Sequence, residues 1–491
     1  MSSRTTTPSP AKAGLVVVSN RGPFSLVEED DGSLSPRPGG GGLAPSLAAA
    51  LSGHEGTTWV AAALSEADRR GAAEAKEGGG DLETGQAGLS LHLVPLEPEV
   101  FGAAYDVVAN ATLWFVLHGL FDASRRPVFD RVWFEAWQRF REYNESFAAA
   151  TAEVAAEGAV VLVNDYHLVL VGGWLARERP DLRTVHFSHT AFATPEELAM
   201  LPAAVARELV ESMAGFGACG FHSARWEDRF RRCCAAGGGI APPRTFHTPL
   251  GADEARLAEA AATKECGDRL AELESLVGDR MLLLRNDRVE LSKNILRGLR
   301  AFDALLEEHA ELRGRVVHVV RSYASREGLP EYLAYRSEIE QLAALVNDRW
   351  TDRCGGRKPV ELDVSDDFPS TVAALRLYDV LLVNPIRDGM NLVAKEGPLL
   401  NERDGAVVLS REAGAFDELE DLVFGIQPFD VVDTAAKLYA ALSLEHSERA
   451  ERASLLRRRA AVNSPAEWLG KVLEAASRPN APVRRPEAPK A

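Results

Sequence analysis

The stretch VLLVNPIRDGMNLVAKE, residues 380–396, contains a complete strand–turn–helix pattern. Its first four residues are all apolar, which is typical of a parallel strand buried on both faces. The strand ends at Asn384, Gly389 permits a tight turn, and the residues from Asn391 onward predict a helix. Such a unit is the building block of a doubly wound α/β sheet.

The same alternation of apolar runs and amphipathic stretches extends in both directions along the chain. The other predicted strands are Leu15–Ser19, Val160–Asn164, Thr184–Phe187, Met281–Arg285, Val316–Val320 and Ala406–Leu409. Helical stretches lie between them, for example Thr194–Met213 and Asn294–His309. The pattern therefore predicts an α/β protein with two Rossmann-like, doubly wound sheets.

A Gly/Pro-rich segment at 236–243 and the charged helical stretch after it mark the expected boundary between the two sheets. The final helix begins with Ser464-Pro465-Ala466-Glu467, which matches a capping box with proline at its first position. The predicted segments are a disordered tail at 1–13, an N-terminal domain at 14–245, a C-terminal domain at 246–463, a helix at 464–477 and a disordered tail at 478–491.

Composition excludes several classes of protein. The 491 residues include 72 acidic and 55 basic side chains, a net charge of −17, which argues against a nucleic-acid binder. No apolar run reaches the ~20 residues of a membrane span, and the N-terminus lacks the layout of a secretory signal. The five cysteines lack metal-ligand spacing, so we expect them to be reduced and buried. We predict a cytoplasmic protein.

One motif is misleading. Residues 215–220, GFGACG, match the G-x-G-x-x-G pattern of dinucleotide-binding proteins. That fingerprint requires a strand before it and a helix that begins at its third glycine. Here a helical stretch precedes the glycines and a strand end follows them, so we predict no nicotinamide site.

Polar side chains follow several of the predicted strands. Arg21 comes after the first strand, and a run of four glycines at 39–42 allows backbone amides to approach a phosphate, although a flexible surface loop is an alternative interpretation. Asp165 ends a later strand and either orients a substrate hydroxyl or caps the next helix. His189 follows the next strand in the same way.

The second half contains more charged groups at such ends. Arg288 and Lys293 lie between a buried strand and a helix, where two cations suit a diphosphate. Asp388 can bind sugar hydroxyls and Glu396 ribose hydroxyls. The chain contains no Asp-x-Asp motif, so we expect these side chains, and not a metal ion, to hold the diphosphate.

These motifs resemble those of the trehalose-6-phosphate synthase family, the retaining glycosyltransferases of family 20, and most closely its actinobacterial members. The specific motifs are RDGMNLVAKE at 387–396, DYHL at 165–168 and the Tyr-(eight residues)-Trp block at 105–114. The resemblance extends from about residue 14 to about 476. It implies the GT-B fold, with two Rossmann-like domains facing a deep cleft and a C-terminal helix that crosses back to the first domain.

The resemblance also assigns roles. As catalytic residues it implies Asp165, His189, Arg288 and Lys293. For the phosphate and sugar of an acceptor, glucose 6-phosphate, it implies Arg21, Tyr105, Trp114, Asp165 and Arg326. For a nucleotide-glucose donor it implies Gly42, His189, Arg288, Lys293, Asp388, Gly389, Met390, Asn391, Leu392 and Glu396. His189 would contribute its backbone carbonyl, and no metal or other cofactor is implied.

The reaction that follows is glucose transfer to glucose 6-phosphate with retention, with GDP-glucose favoured over UDP-glucose. Alternatives are a pseudo-glycosyltransferase of the validoxylamine-phosphate-synthase type and a non-catalytic sugar-phosphate sensor on the same fold. The chain departs from the family at Glu290, Asn294, Asn164 and Ala62, where Asp, Gly, His and Trp are common. Partners are the two substrates, with no nucleic acid or membrane; a homo-oligomer is left open.

Overall fold

The computed structural model describes residues 12–38, 43–51, 53–78 and 80–477. The described chain divides into two units. The first contains residues up to Trp114, Ala123–Thr248 and the chain from Leu469 onward, and the second contains Phe115–Asp122 and Pro249–Trp468. The predicted disordered tails lie, except for Lys12 and Ala13, outside the described residues.

The first unit is built on a sheet and a separate hairpin. Its strands are β1 (Ala13–Val18), β2 (Phe24–Glu28), β3 (Leu34–Pro38), β4 (Thr57–Ala62), β5 (Leu82–Glu83), β6 (Leu89–Val94), β7 (Ala155–Asn164), β8 (Arg183–Ser188), β9 (Ala218–Phe221) and β10 (Arg244–His247). The sheet has the order β10-β9-β8-β7-β1-β4-β6-β5, and all its pairs are parallel except β5 with β6. β2 and β3 pair antiparallel.

Helices connect these strands. They are α1 (Leu43–Ala50), α2 (Glu66–Gly78), α3 (Pro98–Gly102), a π-helix (Ala103–Leu113), α4 (Trp114–His118), α5 (Arg131–Val154), α6 (Val171–Glu178), α7 (Pro195–Leu198), α8 (Ala203–Ala214) and α9 (Ala224–Ala236). The glycines of residues 215–220 follow α8 and lead into β9, which confirms that they do not form a dinucleotide fingerprint.

The second unit has one parallel sheet. Its strands are β11 (Met281–Arg288), β12 (Val316–Tyr323), β13 (Val360–Val364), β14 (Val380–Val383), β15 (Ala406–Ser410) and β16 (Phe424–Ile426). Its helices are α10 (Glu254–Ala261), α11 (Lys264–Val277), α12 (Ile295–Glu308), α13 (Pro330–Trp350), α14 (Phe368–Leu377), α15 (Val393–Leu400), α16 (Phe416–Leu419), α17 (Val431–Leu442) and α18 (His446–Ala460). The last helix, α19 (Pro465–Ser477), begins in this unit and belongs to the first unit from Leu469 onward.

The order of this sheet is β13-β12-β11-β14-β15-β16, which is 3-2-1-4-5-6 when its strands are counted along the chain. That is the order of a Rossmann fold. Alternate residues of β11 enter separate apolar cores, Leu282 and Leu284 on one face and Leu283 on the other. Helices therefore cover both faces, as the apolar strands predict, and the doubly wound fold is confirmed.

The helix predicted over Thr194–Met213 is wrong in one respect. The structure has two helices there, α7 and α8, because Pro202 lacks an amide hydrogen and its ring interrupts the helix. Thr194 caps α7 in a capping box with Glu197. The capping box predicted for the last helix is present, since Ser464 Oγ accepts from Glu467 N at 3.3 Å and Glu467 Oε2 accepts from Ser464 N at 2.8 Å.

One helical run, Pro98–His118, is long and apolar enough to cross a membrane by length and composition alone, which the sequence did not lead us to expect. In its most apolar window, 61% of the residues are buried inside the fold, so we interpret the run as a core helix. Its last part belongs to the second unit, where Arg387 Nη1 donates to Leu117 O at 3.2 Å. The predicted N-terminal domain, 14–245, includes this part of the chain, so the prediction differs from the structure here. The five cysteines are all buried and free.

Candidate active site

The candidate site of the first unit lies at the carboxyl ends of β1 and β7. In a doubly wound sheet, ligands bind where the strand order reverses, and in this sheet that point falls between these two adjacent strands. Asn20 and Arg21 follow β1, and Asp165 follows β7. The sheet thus places the predicted residues Arg21 and Asp165 at the same edge.

His189, just after β8, is fixed through both nitrogens of its ring. Its Nε2 lies 3.0 Å from Asn164 Oδ1, and its Nδ1 lies 3.2 Å from His222 Nε2. Because a carboxamide oxygen only accepts, Nε2 carries the proton and His222 donates to Nδ1. Burial, aided by His222 and His186, lowers the pKa of His189 well below 6.5. The imidazole is therefore neutral at pH 7 and held in one orientation.

Asp165 has a strained backbone. Its φ of 71° and ψ of 171° lie in a region that is almost restricted to glycine and costs about 1–3 kcal/mol. The surrounding strand holds it there, since its amide donates to Phe187 O at 2.8 Å and its carbonyl accepts from His186 Nε2 at 3.1 Å. Its carboxylate does not cap the short 3₁₀ turn at Tyr166–Leu168. The capping interpretation is therefore wrong, and the strain is typical of a functional position.

Tyr105 and Trp114 share one face because the segment between them is π-helical. Hydrogen bonds in a π-helix join residue i to i+5, so Tyr105, Asn110 and Trp114 lie above one another. All three contact the two residues after Asp165. Tyr105 stacks on His167 with 5.5 Å between ring centroids, Asn110 Oδ1 accepts from Tyr166 Oη at 2.7 Å, and Trp114 lies 5.7 Å from Tyr166. An α-helix, at 3.6 residues per turn, would place Tyr105 and Trp114 on opposite sides.

Arg21 joins the same group. Its Nη2 lies 3.4 Å from Tyr105 Oη, and its guanidinium is exposed, as a phosphate-binding cation should be. Trp59, three residues before Ala62, is buried in β4 and donates to Ser19 Oγ at 2.8 Å. Ala62 lies at the end of β4 and is also buried.

The candidate site of the second unit lies between β11 and β14, where that sheet also reverses its strand order. A fully buried guanidinium, Arg285, joins the two strand ends. It donates to Asn384 Oδ1 after β14, to Asp287 Oδ2 at 2.9 Å, and to the carbonyl of Lys293. No local pattern marks Arg285 as a site residue, since a buried strand normally excludes a charge.

Lys293 lies between two carboxylates. Its Nζ donates to Asp388 Oδ2 at 2.6 Å and lies 3.7 Å from Asp287 Oδ1. Burial favours the neutral amine, but Asp388 and Asp287 outweigh it and raise the pKa of Lys293. Burial likewise opposes ionisation of Asp388, yet Lys293 lowers its pKa overall. A permanent cation therefore sits beside the carboxylate predicted to bind the donor sugar.

Arg288 and Arg326 share the carboxylate of Glu290. Glu290 Oε1 lies 2.9 Å from Arg288 Nη1 and 3.2 Å from Arg326 Nη1. Burial alone would raise the pKa of Glu290, but the two guanidinium groups lower it to about 2. The sequence indicated Arg288 and Arg326 but attached no role to Glu290, which appeared only as a departure from the family.

The turn between Asp388 and Leu392 is fixed by the loop at 412–415. Asp388 N donates to Glu412 O at 3.1 Å, Gly414 N to Asp388 O at 3.2 Å, and Ala415 N to Met390 O at 2.9 Å. Asn391 has a positive φ of 69°. Within the described chain, the amides of Met390, Asn391 and Leu392 donate to no backbone acceptor. They precede α15, and the start of a helix is a position suited to an anion.

Glu396 lies in the first turn of α15. Burial raises its pKa to about 6, and Arg256 on α10 acts in the opposite direction. A carboxylate with incomplete solvation is suited to accept hydrogen bonds from neutral hydroxyl groups, as a ribose would supply. Gly42, the other predicted donor ligand, lies outside the described residues. Those residues contain no group of three or more side chains able to hold a metal ion.

Comparison with known proteins gives the family. The model of glycosyltransferase family 20 matches residues 13–478. A bifunctional trehalose-6-phosphate synthase/phosphatase of Thermoproteus tenax is 30% identical over 92% of this chain, which spans 62% of that relative's length. A trehalose-6-phosphate synthase of Mycolicibacterium vanbaalenii is 32% identical over 94% of this chain and 96% of its own, in agreement with the expected actinobacterial similarity.

A solved structure gives the fold. The UDP-forming α,α-trehalose-phosphate synthase of Burkholderia xenovorans in complex with glucose 6-phosphate has a TM-score of 0.79 and is 25% identical, over 94% of this chain and 99% of its own. The GT-B fold expected from the resemblance is thereby confirmed. Because the family model and the relatives cover nearly the whole chain, this protein belongs to glycosyltransferase family 20.

Proposed function

We propose that this protein is a trehalose-6-phosphate synthase, which transfers glucose from a nucleotide-glucose to glucose 6-phosphate with retention of the anomeric configuration. The observation that carries the proposal is the pairing of Lys293 with Asp388 beside Arg288, at the reversal point of a Rossmann sheet. This arrangement supplies a diphosphate with cations and a hexose with a carboxylate. The names of the relatives in both comparisons support the same activity.

In this mechanism the second unit binds the donor. Arg288 and Lys293 hold the diphosphate and stabilise the charge that develops on it as the bond to the anomeric carbon breaks. The amides of Asn391 and Leu392 take further phosphate oxygens, Asp388 binds the hexose and Glu396 the ribose. Gly389 and Met390 shape the turn that presents them.

The first unit binds the acceptor. Arg21, Tyr105 and Trp114 of this unit would meet the phosphate of glucose 6-phosphate, while Asp165 would hold the sugar hydroxyls. The family resemblance also assigns Arg326, a residue of the second unit, to the acceptor phosphate. The neutral, fixed ring of His189 keeps its backbone in place, so that its carbonyl can face the positive charge developing at the anomeric centre. The leaving diphosphate takes the acceptor proton, because the sequence offers no convincing pair of carboxylates for nucleophilic catalysis.

The test measures nucleotide release with glucose 6-phosphate and either GDP-glucose or UDP-glucose, with NMR of the product and with a chelator present in parallel. We expect acceptor-dependent release and an α,α-linked disaccharide phosphate, unchanged by the chelator. The faster donor identifies the base, for which GDP remains our prediction. Binding of nucleotide without release from either donor would contradict the proposal and favour the cyclitol-coupling alternative.

Two matched lysine variants test whether the activity depends on the candidate site of the second unit. Lys293→Ala removes a cation bonded to a carboxylate at 2.6 Å in the site, and Lys264→Ala removes one bonded to Asp268 at the same distance on the exposed surface of α11. Loss of a preorganised charge of this kind lowers kcat by about 10²–10³. We expect that loss for Lys293→Ala and an unchanged kcat for Lys264→Ala.

A further inference from the structure

Glu290 is a buried anion with a contact pattern that no sequence motif indicated. Its side chain is inaccessible to solvent, and Oε1 accepts from Arg326 Nη1 at 3.2 Å and from Ser325 Oγ at 3.0 Å. The same oxygen forms an ion pair with Arg288 Nη1 at 2.9 Å. Its backbone is also engaged, since its amide donates to Arg288 O and its carbonyl accepts from Lys293 N. The Glu290 carboxylate therefore contacts two guanidinium groups and one hydroxyl group.

The two arginines come from neighbouring strands. Arg288 is the last residue of β11, and Arg326 follows β12, which pairs with β11 in parallel. Arg326 has a positive φ of 50°, and its Nη1 also donates to Tyr332 Oη at 2.7 Å. Without the shared carboxylate, two guanidinium groups would repel each other at the end of the sheet.

The arginines differ in exposure. The Arg288 side chain is 37% exposed and the Arg326 side chain 9%, while Glu290 beneath them is 0% exposed. Glu290 therefore cannot contact a substrate, but it fixes the orientation of two side chains that can. Since a guanidinium has five donors in a fixed fork, a partner that holds one nitrogen sets the direction of the others.

We propose that Glu290 is a positioning residue that couples binding of the donor diphosphate at Arg288 to binding of the acceptor phosphate at Arg326. This inference rests on the proposed function, which assigns the two arginines to different substrates. A ligand that engages either arginine fixes the Glu290 carboxylate and, through it, the other arginine. The second ligand then meets a side chain that is already ordered, so each substrate strengthens binding of the other.

The length of the Glu290 side chain determines which of its three contacts can form. Where this chain has Glu290, the family that it resembles commonly has aspartate, which is one methylene shorter. Glu290→Asp keeps the charge but cannot keep all three contacts without movement of the backbone. Glu290→Gln keeps the length and removes the charge that holds the second arginine. Comparison of the two variants therefore distinguishes the effect of side-chain length from the effect of side-chain charge at position 290.

The experiment is calorimetric titration of glucose 6-phosphate into the full-length protein, alone and saturated with UDP or with GDP. For the wild type we expect the nucleotide to tighten glucose 6-phosphate binding at least fivefold. In Glu290→Gln the ratio should fall to within twofold of one, with Glu290→Asp intermediate. Glu208→Gln is the matched control, because Glu208 accepts from Arg141 and Trp137 outside the site and should leave the ratio unchanged.

Turnover and melting temperature of each variant are measured in parallel. If the wild type turns over both substrates but Glu290→Gln keeps the full ratio, the coupling role is wrong and the proposed function stands. If the wild type binds neither substrate, both are wrong. If Glu290→Gln fails to fold, Glu290→Asp decides, since a ratio equal to that of the wild type would overturn the proposal.

Discussion

Gly414 lies against the turn predicted to bind the donor, and its substitution tests that turn without removing any proposed ligand. A Cβ atom built on Gly414 would lie 2.0 Å from Gly389 O and 3.2 Å from Met390 Cα. The φ of Gly414 is not in the left-handed region, so alanine meets no backbone strain of its own. The effect of Gly414→Ala would therefore come from the close approach of the two backbones.

The distances set the size of the effect. Ordinary contact for a Cβ atom begins at 3.4 Å, so the backbones of the loop and the turn must separate by about 1.4 Å (3.4 minus 2.0). Hydrogen bonds join Gly414 to Asp388 and Ala415 to Met390, so the separation moves the turn that is proposed to bind the donor. A misplacement of about 1 Å can lower a rate by about 10²-fold. Overpacking also costs about 1–3 kcal/mol of stability.

The assay compares kcat/KM for the nucleotide-glucose and its calorimetric Kd in the wild type and Gly414→Ala. We expect a loss of about 10²-fold in kcat/KM and a clearly weaker Kd. Gly267→Ala is the control, because Gly267 lies in α11 with no atom within 4 Å of its added Cβ and should gain about 0.5–1 kcal/mol of helix stability. A Gly414→Ala variant that is folded and binds donor as tightly as the wild type would refute the reasoning.

Two further predictions use pKa and backbone strain. Burial raises the pKa of Glu396 to about 6, so nucleotide-glucose binding should weaken between pH 7 and pH 5 as the carboxylate is protonated. A Glu396→Gln variant whose affinity for nucleotide-glucose falls equally steeply over this pH range would contradict the prediction. Since the folded pKa lies above the ordinary pKa of 4.5, the folded state binds the extra proton, and the contribution of Glu396 to stability decreases as pH rises from 4.5 to 6. Asp165→Gly should be more stable to unfolding than Asp165→Ala by about 1 kcal/mol or more, because glycine accepts a φ of 71° without strain. Both variants should lose most acceptor-dependent turnover, and equal free energies of unfolding would exclude the strain.

The strands, the turns and most charged groups of the site could be predicted from local pattern alone. Asn384 and Gly389 interrupt an apolar run at points that the structure confirms as a strand end and a turn. The break at Pro202 could also have been predicted, because proline inside a helical pattern is a rule of local geometry.

Other features depend on tertiary structure and have no local signal. The buried guanidinium of Arg285 donates to three oxygen atoms, which belong to Asp287, Lys293 and Asn384. Asn384 lies 99 residues further along the chain, so a local pattern does not show that it contacts Arg285. The shared role of Glu290 requires β11 and β12 to be neighbours, which only the strand order establishes. The assignment of Phe115–Asp122 to the second unit is of the same kind.

The π-helix between Tyr105 and Trp114 limits how this protein can diverge. Substitutions at its outward positions change one side chain, but deletion of one residue would return the segment toward α-helical winding and turn the indole away from Tyr166. Insertions and deletions within 106–113 should therefore be far rarer among functional homologues than substitutions. The length of this segment, rather than its composition, is the more informative guide when a distant relative is aligned with this chain.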